Sequence, residues 1–305
     1  MKKYDVLVYG PIFCDLIFTG LNTLPILGQE IFSEDFTLTA GGSAIVAHGL
    51  HRLGVRVGLI ADLGNDPISS LIWAILGDLG LDRSLIQKHN QPLKKITVAL
   101  SYPNDRAFVS YVDLVNVPRN FPTLFRETNL KHLHLCSLLA MKDHPKIIQQ
   151  AHAAGLTVSM DPGWEESTLT EPAFVKTLWD LDIFLPSESE LCKIASEGVT
   201  EIAAKTVFSK MENAMLIVKQ GEKGSTAYTN EVPQGLHTPA LRVDTIDTTG
   251  AGDSFDAGFL FAYVKGQDLE TCMKTGIICG SLSTTRVGGI AGFPDRKEVE
   301  KWLEK

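Results

Sequence analysis

The sequence is poor in several features that mark specialised classes of protein. No apolar run reaches the ~18 residues of a membrane span, so we expect no membrane partner. The five cysteines are odd in number and form no Cys-x-x-Cys pair, which favours a reduced, cytoplasmic setting over a disulfide framework. Basic residues are scarce, with 28 Lys and Arg against 36 Asp and Glu, and the formal charge of −8 argues against a nucleic acid partner.

What remains is the composition of an ordinary globular protein. Hydrophobic residues make up 44% of the 305 residues and charged residues 21%, which excludes disorder, collagen and coiled coil as descriptions of the whole chain. A chain of this length can bury a large core without the help of a metal or a disulfide. Near the N-terminus, Gly10 and Pro11 interrupt the first apolar run, so no signal-peptide core is predicted.

Short apolar, β-rich runs alternate with helical patterns along most of the chain. The patterns predict strands at residues 5–9, 56–61, 132–136, 157–161, 182–185 and 215–219. They predict helices between these strands, including residues 43–53, 68–79, 146–154 and 188–195. Such an alternation indicates an α/β fold in which helices cover both faces of a parallel sheet.

Two segments interrupt this alternation. Residues 16–39 and 95–112 have the pattern of antiparallel β structure, the second as a hairpin that turns at Pro103-Asn104-Asp105. Neither segment is expected to be stable alone, because an isolated hairpin is marginal in water. We therefore predict one domain, residues 1–305, with an inserted small β-sheet, the lid, made from segments at about 12–40 and 94–114.

The most informative segment, residues 247–259, reads Asp-Thr-Thr-Gly-Ala-Gly-Asp-Ser-Phe-Asp-Ala-Gly-Phe. Apolar residues recur at helical spacing after Asp253, so a loop opens here onto a helix. The small residues Gly250, Ala251 and Gly252 would let a phosphate approach the amides of the helix N-terminus. A carboxylate at Asp253 would then take a proton from an attacking hydroxyl while the amides hold the charge of a transferring phosphoryl group. The pattern indicates a phosphotransferase, although a capping aspartate beside a glycine turn would look the same.

This segment resembles the C-terminal signature of the ribokinase-like (PfkB) family of carbohydrate kinases. The N-terminal signature of that family is visible in Ala40-Gly41-Gly42-Ser43-Ala44, followed by Ala47, Gly54 and Gly64. One departure is Val46, where the family usually has Asn. The two signatures occur in the family's order and the resemblance covers nearly the whole chain. It implies a three-layer α/β/α sandwich with a mostly parallel central sheet and a small inserted β lid.

The resemblance also implies roles for individual residues. Asp253 would be the catalytic base, and the amides of residues 250–252 would form the anion hole. Asp15, Gly41 and Gly42 would contact hydroxyls of the acceptor, because a carboxylate accepts two hydrogen bonds from a diol and paired glycines let backbone amides reach the substrate.

Other motifs would bind the nucleotide and its metal. Lys219, Gly221 and Gly224 would bring backbone close to ATP, although a glycine-rich turn would look the same. Glu190 would order water on Mg²⁺, which needs only one or two carboxylates beside phosphate oxygens. It lies in a Ser187-x-x-Glu190 motif where the family has Asn-x-x-Glu, and this motif is also a good helix capping box.

Further acidic residues surround these motifs in the sequence. Family members often hold a monovalent cation such as K⁺, which would place Asp247 and Thr249 near it. Asp161 follows a strand and is a candidate for a supporting role near the nucleotide. Asp256 lies one turn after Asp253 and is interpreted as a solvated or capping carboxylate.

The acceptor is predicted less sharply than the reaction. Residues 43–46 contain no basic side chain to hold a phosphate, so an unphosphorylated sugar is expected. Val46 removes a polar contact that many sugar kinases use, which leaves an atypical sugar or a nucleoside open. Three aromatic residues, Phe13, Phe36 and Phe108, would stack on a nucleobase or form the core of the lid.

Other functions and partners stay open at this stage. Val46 and Ser187 also admit a sugar- or nucleotide-binding protein that has lost turnover, whereas the absence of Gly-x-Gly-x-x-Gly after the first strand argues against a dehydrogenase. His132 and His134 alternate along a strand and are interpreted as packing or surface residues rather than metal ligands. An exposed edge of the lid would need cover, so a homodimer through the lid is expected.

Overall fold

The computed structural model describes residues 3–102, 106–113, 118–128, 130–142 and 144–305. The expected hairpin turn at 103–105 and the end of the second lid segment, at 114, lie outside these ranges. The strands are β1 (Val6–Tyr9), β2 (Ile12–Thr19), β3 (Asp35–Gly42), β4 (Val57–Leu63), β5 (Ile86–Lys88), β6 (Lys95–Ser101), β7 (Arg106–Val112), β8 (His132–Leu135), β9 (Thr157–Met160), β10 (Ile183–Phe184), β11 (Met215–Lys219), β12 (Ser225–Tyr228) and β13 (Leu236–Thr238). The helices are α1 (Ser43–Arg52), α2 (Pro67–Asp78), α3 (Phe121–Thr128), α4 (Ile147–Ala153), α5 (Glu166–Thr170), α6 (Pro172–Thr177), α7 (Glu188–Ala195), α8 (Thr200–Phe208), α9 (Ala251–Val264), α10 (Leu269–Ser283) and α11 (Arg296–Leu303).

The larger of two sheets has the strand order β13-β12-β11-β10-β9-β8-β1-β4-β5. Strands β11 through β5 in this order are parallel, whereas β12 and β13 join one edge in antiparallel orientation. The sequence patterns predicted six of these strands and their parallel direction. They missed β5, β12 and β13, which have only three or four residues and too short an apolar pattern to detect.

Helices cover both faces of this sheet, which confirms the predicted three-layer α/β/α architecture. One face carries α1, α2, α9, α10 and α11, which bury Leu50, Ile72, Phe259, Met273 and Val299. The other face carries α3, α4, α7 and α8, which bury Phe121, Ile148, Leu191 and Val207. The longest described helix, α10, has 15 residues, and none of the described helices qualifies as a membrane span.

The smaller sheet has the order β3-β2-β6-β7. Its outer pairs, β2 with β3 and β6 with β7, are antiparallel as predicted, and a parallel pairing of β2 with β6 joins them. A methyl group built on Gly288 would lie 3.3 Å from side-chain atoms of both Ile17 and Thr39. The face of the small sheet that carries these two side chains therefore lies over the loop at Gly288. Its action as a lid stays a prediction.

Side chains fix where several helices begin. Asp66, Asp268 and Asp295 each accept a hydrogen bond from a backbone amide in the first turn of α2, α10 and α11, respectively. Helix α9 differs, because Gly250 precedes it and supplies no capping side chain. The donors of its first turn are thus left for another partner.

Candidate active site

Gly250 sets the shape of the loop that enters α9. Its φ of 73° lies in the left-handed region that glycine tolerates best. A Cβ atom at this position would lie 2.6 Å from Ile45 Cδ1 and 3.0 Å from the Cα of Gly289. Both the backbone conformation and the packing therefore require glycine at residue 250.

The first turn of α9 presents its backbone amides next to a carboxylate. The amide of Ala251 donates to the carbonyl of Thr248 at 3.2 Å, so one of the three predicted donors already has a protein partner. Helix geometry gives the amides of Gly252 and Asp253 no acceptor within the helix. The Asp253 side chain is half-buried in this same turn.

The loop before α9 is fastened by Asp247, which is almost entirely buried. One carboxylate oxygen accepts from the amide of Thr249 at 3.1 Å and from its hydroxyl at 2.8 Å. The other accepts from the amide of Gly288 at 2.8 Å. Asp247 thereby joins the α9 loop to the Gly288 loop, and a monovalent cation at Asp247 and Thr249 stays a prediction.

Asp15 and the paired glycines lie together at the junction of the two sheets. Asp15 is 5% exposed, and its carboxylate Oδ2 would lie 2.0 Å from a Cβ atom at residue 41, so only glycine fits there. Gly42 has a φ of 61°, and a Cβ atom there would lie 2.6 Å from the carbonyl oxygen of Pro11. Burial, reinforced by the charge of Asp247, raises the pKa of Asp15 to about 7.

Asp253 has the most strongly perturbed environment among the predicted site residues. Burial is the largest cause that raises its pKa, to about 8, and the charges of Asp161, Asp15 and Glu190 add to it. The ammonium of Lys219 opposes these effects. The structure thus brings Asp15, Glu190 and Asp253 from three separate parts of the chain into one electrostatic cluster.

Beneath α9, Lys219 forms a buried ionic group that sequence analysis missed. Its Nζ lies 2.7 Å from Asp161 Oδ2, 3.1 Å from both carboxyl oxygens of Asp256 and 3.4 Å from where a Cβ atom of Gly252 would be. Asp256 is completely buried, so its interpretation as a solvated or capping carboxylate is wrong. The position of Asp256, one turn after Asp253 on the sheet-facing side of α9, was the available signal.

One ammonium serves two carboxyl groups in this cluster. Burial alone would raise the pKa of Asp161, but the charge of Lys219 and hydrogen bonds hold it below its ordinary value. Burial raises the pKa of Asp256 well above its ordinary value, despite Lys219 and helped by its hydrogen bond to Asp161. Burial would lower the pKa of Lys219, but Asp161 and Asp256 raise it overall. The environment therefore favours the ionised form of Asp161 and the protonated form of Asp256.

Glu190 lies at the start of α7, where the predicted capping box is present. Its carboxylate accepts from the amide of Ser187 at 2.7 Å, and its own amide donates to the Ser187 hydroxyl at 3.3 Å. The described residues hold no group of three or more His, Cys, Asp or Glu side chains arranged around a metal. This donor set fits Mg²⁺ held by water and phosphate oxygens beside one carboxylate, and not an all-protein cage.

The turn after β11 contains the two glycines predicted near the nucleotide. Gly221 has open space where a side chain would be. At Gly224 a Cβ atom would lie 2.1 Å from the carbonyl oxygen of Thr238, so packing within the protein already requires glycine there without any contact to a nucleotide. The side chain of Lys219 points to Asp161, and contact of the turn with a nucleotide stays a prediction.

The structure also shows the surroundings of two histidines and of Val46. His132 and His134 are fully buried and both lie within hydrogen-bond distance of the Ser159 hydroxyl, at 2.6 and 2.8 Å, which confirms packing. Val46 is fully buried in the apolar core against which α1 packs.

The three candidate aromatic residues of the small sheet lie on different faces. Register pairs Phe108 and Phe13 with the face that carries Asp15, whereas Phe36 packs against Phe18 on the opposite face, with ring centroids 5.0 Å apart. Stacking of Phe36 on a ligand bound at Asp15 is therefore wrong. Sequence analysis also missed Arg106 at the start of β7, which donates to the Thr248 hydroxyl, because nothing in the sequence relates these positions.

Comparisons with known proteins show similarity along nearly the whole chain. The chain is 26% identical to deoxyribokinase from Salmonella typhi over 98% of both chains. Its structure superimposes on Arabidopsis thaliana ribokinase, solved with ribose and ATP, with a TM-score of 0.82, 23% identity and 99% of both chains covered. An E. coli protein assigned as a ribokinase II, solved with ATP and Mg²⁺, gives a TM-score of 0.78 with 23% identity over 99% of both chains.

The match to a family model also extends over nearly the whole chain. The model of the pfkB family carbohydrate kinases matches residues 4–296, which include Asp15, the paired glycines and the whole α9 loop. The match therefore covers the complete cluster described above, and not one motif alone. This chain belongs to the pfkB family of carbohydrate kinases, phosphotransferases that act on a sugar hydroxyl.

Proposed function

We propose that this protein transfers the γ-phosphoryl group of ATP to a hydroxyl of an unphosphorylated sugar. The observation that carries the proposal is the position of Asp253, whose carboxyl group lies in the turn of α9 that also presents amides without helical acceptors. A base and an anion-binding site are thus adjacent, which phosphoryl transfer to an alcohol requires.

In the proposed reaction, ATP lies across the carboxyl ends of the parallel strands, where open α/β sheets bind their ligands. Asp15 and the amides at Gly41 and Gly42 orient the acceptor. Asp253 removes the proton of the attacking hydroxyl, and the amides of residues 250–252, of which that of Ala251 also donates to the Thr248 carbonyl, hold the negative charge that develops on the phosphoryl group. Mg²⁺, positioned through water by Glu190, would neutralise phosphate charge.

Arg106 supports the same arrangement from the small sheet. It donates to the Thr248 hydroxyl, two residues before Gly250, so its guanidinium adds positive charge at the entrance to α9. When the small sheet closes as a lid, this contact would seal the site and exclude water, which otherwise competes with the sugar as acceptor.

The absence of a phosphate-binding side chain near the paired glycines favours an unphosphorylated acceptor. Residues Ser43 to Val46 are all buried and none is basic, and the Ser43 hydroxyl donates to the Pro11 carbonyl at 3.0 Å. Val46 packs in the core and does not line the cleft at Asp15. Its replacement of the family's Asn is therefore compatible with a sugar acceptor.

The proposal predicts acceptor-dependent release of ADP. Purified protein with ATP and Mg²⁺ should release ADP, measured by a coupled assay, only when a neutral sugar is added, and EDTA should stop the reaction. A stronger response to nucleosides would favour the nucleoside kinase instead. Sugar binding measured by calorimetry without any ADP release would contradict turnover and indicate a binding protein.

The outer face of the small sheet supports a homodimer. Four large apolar side chains on this face are between 38% and 67% exposed, namely Phe36, Leu38, Val109 and Tyr111. A second copy that presents the same face would bury them.

We therefore expect Val109→Glu to shift the protein from dimer to monomer, because it places a charge in the apolar interface. Sedimentation equilibrium over a range of concentrations measures the change. Val199→Glu is the matched control, since Val199 is equally apolar and 53% exposed but precedes α8 on the main domain. A wild-type protein that stays monomeric at all concentrations would contradict the dimer.

A further inference from the structure

A row of polar side chains crosses all four strands of the small sheet. Strand register pairs Thr39 with Asp15, Asp15 with Thr97, and Thr97 with Ser110. Directly paired residues share one face of a sheet, so these four side chains form a single line perpendicular to the strands. We call it the polar row.

The polar row faces the catalytic loop. The Thr39 side chain lies beside Gly288, whose amide donates to Asp247. On β7, Arg106 has the same orientation as Ser110 because it is four residues away along the strand, and Arg106 contacts the α9 loop. The row is thus on the inner side of the small sheet at both ends.

The neighbouring row on this face differs from the polar row because most of its side chains are apolar. It consists of Thr37, Ile17, Ala99 and Phe108, paired in the same way across the four strands. A ligand in the cleft therefore meets a line of oxygen atoms next to a largely apolar strip. Sugars have this character, because their hydroxyls radiate from the ring edge and their C–H groups form apolar faces.

The two hydroxyl residues of the row retain hydrogen-bonding capacity. Thr97 Oγ1 and Ser110 Oγ lie 3.1 Å apart and bond to each other, which uses one donor and one acceptor of the pair. Thr97 is half-buried and Ser110 is exposed. With strands ~4.8 Å apart, the line from Asp15 to Ser110 spans about 10 Å, enough for a sugar ring with one exocyclic group.

Basic side chains on this face have other partners. Lys95, which has the same orientation as Thr97, is buried and donates to the carbonyl oxygen of Asp62 at 2.9 Å. Arg106 donates to Thr248. Within the described part of this face, the row itself contains one carboxylate and three hydroxyls, which fits a neutral polyol better than an acidic or phosphorylated sugar.

We propose that Thr97 and Ser110 determine acceptor specificity by binding sugar hydroxyls beyond those that Asp15 holds. This inference rests on the proposed kinase function and deepens it. The acceptor is a neutral sugar with at least three free hydroxyls, which lies across the strands and not along them. The flat face of a nucleoside's base would offer these two hydroxyls no partner beyond their bond to each other, which disfavours a nucleoside.

Thr97→Val and Ser110→Ala, singly and together, test the polar row. Thr170→Val is the matched control, because Thr170 is an exposed threonine on α5 of the main domain. With the preferred sugar, each row variant should raise KM for the acceptor about 10-fold, the order expected for one lost hydrogen bond, with KM for ATP unchanged. A deoxy analogue that lacks the recognised hydroxyl should bind wild type and variant equally. A merely structural role would not produce this dependence on the analogue.

Unchanged acceptor KM in the double variant, in a protein that phosphorylates sugars, would overturn the inference and leave the kinase function standing. Failure of the wild type to phosphorylate any acceptor would count against the kinase function instead. In that event calorimetric binding of the same sugars and deoxy analogues still decides the inference. Equal affinity of wild type and double variant for every sugar would refute it.

Discussion

Asp253→Asn should reduce kcat by ~10²–10⁴, the usual contribution of a positioned general base, and leave KM for ATP and sugar nearly unchanged. Asparagine has the shape of aspartate but cannot accept the proton of the attacking hydroxyl. Steady-state kinetics measure the change. The matched control is Asp268→Asn at the start of α10, where asparagine caps a helix as well as aspartate does and no change in rate is expected.

The same substitution should stabilise the protein. The unfolded chain ionises this carboxyl near 3.8 but the folded protein only near 8, so folding takes up a proton between these values. The contribution of this carboxyl to stability therefore falls as the pH rises from about 4 to about 8, and Asp253→Asn escapes this loss. Its advantage in Tm should grow through this window and remain constant above it.

The raised pKa of Asp253 also predicts how wild-type turnover depends on pH. A base with a pKa of about 8 is protonated in most molecules at neutral pH, so kcat/KM should rise with pH and level off above about 8. A wild-type rate in Asp253→Asn, or an Asn variant that is less stable than wild type at pH 8, would contradict the assignment of Asp253 as a half-buried base with a raised pKa.

The loop at α9 was predictable from sequence because its chemistry is local. Gly250, Gly252 and Asp253 are adjacent in the chain, and a helix start has the same free amides in any fold. The buried group of Lys219, Asp161 and Asp256 was not predictable as a group, because Asp161 follows β9, Lys219 ends β11 and Asp256 lies in α9, and they meet only when these elements pack.

In the fold, too, contacts between residues close in sequence were predictable and contacts between distant residues were not. Alternating patterns predicted the hairpin-like pairs of the small sheet, since each pair is built from residues close in sequence. The parallel pairing of β2 with β6 joins residues more than 80 positions apart, and no local pattern encodes its register. The polar row depends on that register and was therefore invisible before the strands were paired.

The second large effect is expected for Lys219→Met. Methionine fills similar volume but leaves the ionised Asp161 without its cation, and breaking a buried ion pair in this way costs about 3–5 kcal/mol. At roughly 2–4 °C per kcal/mol, Tm should fall by about 10 °C at neutral pH. Calorimetry measures the loss. Lys205→Met is the matched control, because Lys205 pairs with Glu201 on the exposed surface of α8, where solvent screening leaves little stability to lose.

Charge, and not side-chain volume, should account for this loss. Lys219→Met combined with Asp161→Asn removes both charges together and should recover most of the Tm. At acidic pH the difference in Tm between Lys219→Met and the wild type should become smaller. Asp161 depends on Lys219 to stay ionised in the folded protein, so the wild type loses that stabilisation as the pH falls. Lys219 also lowers the pKa of Asp253, so the rise of kcat/KM in folded Lys219→Met should move to higher pH. A single variant with wild-type Tm and an unshifted pH profile would show that the buried ammonium neither anchors α9 nor tunes its base.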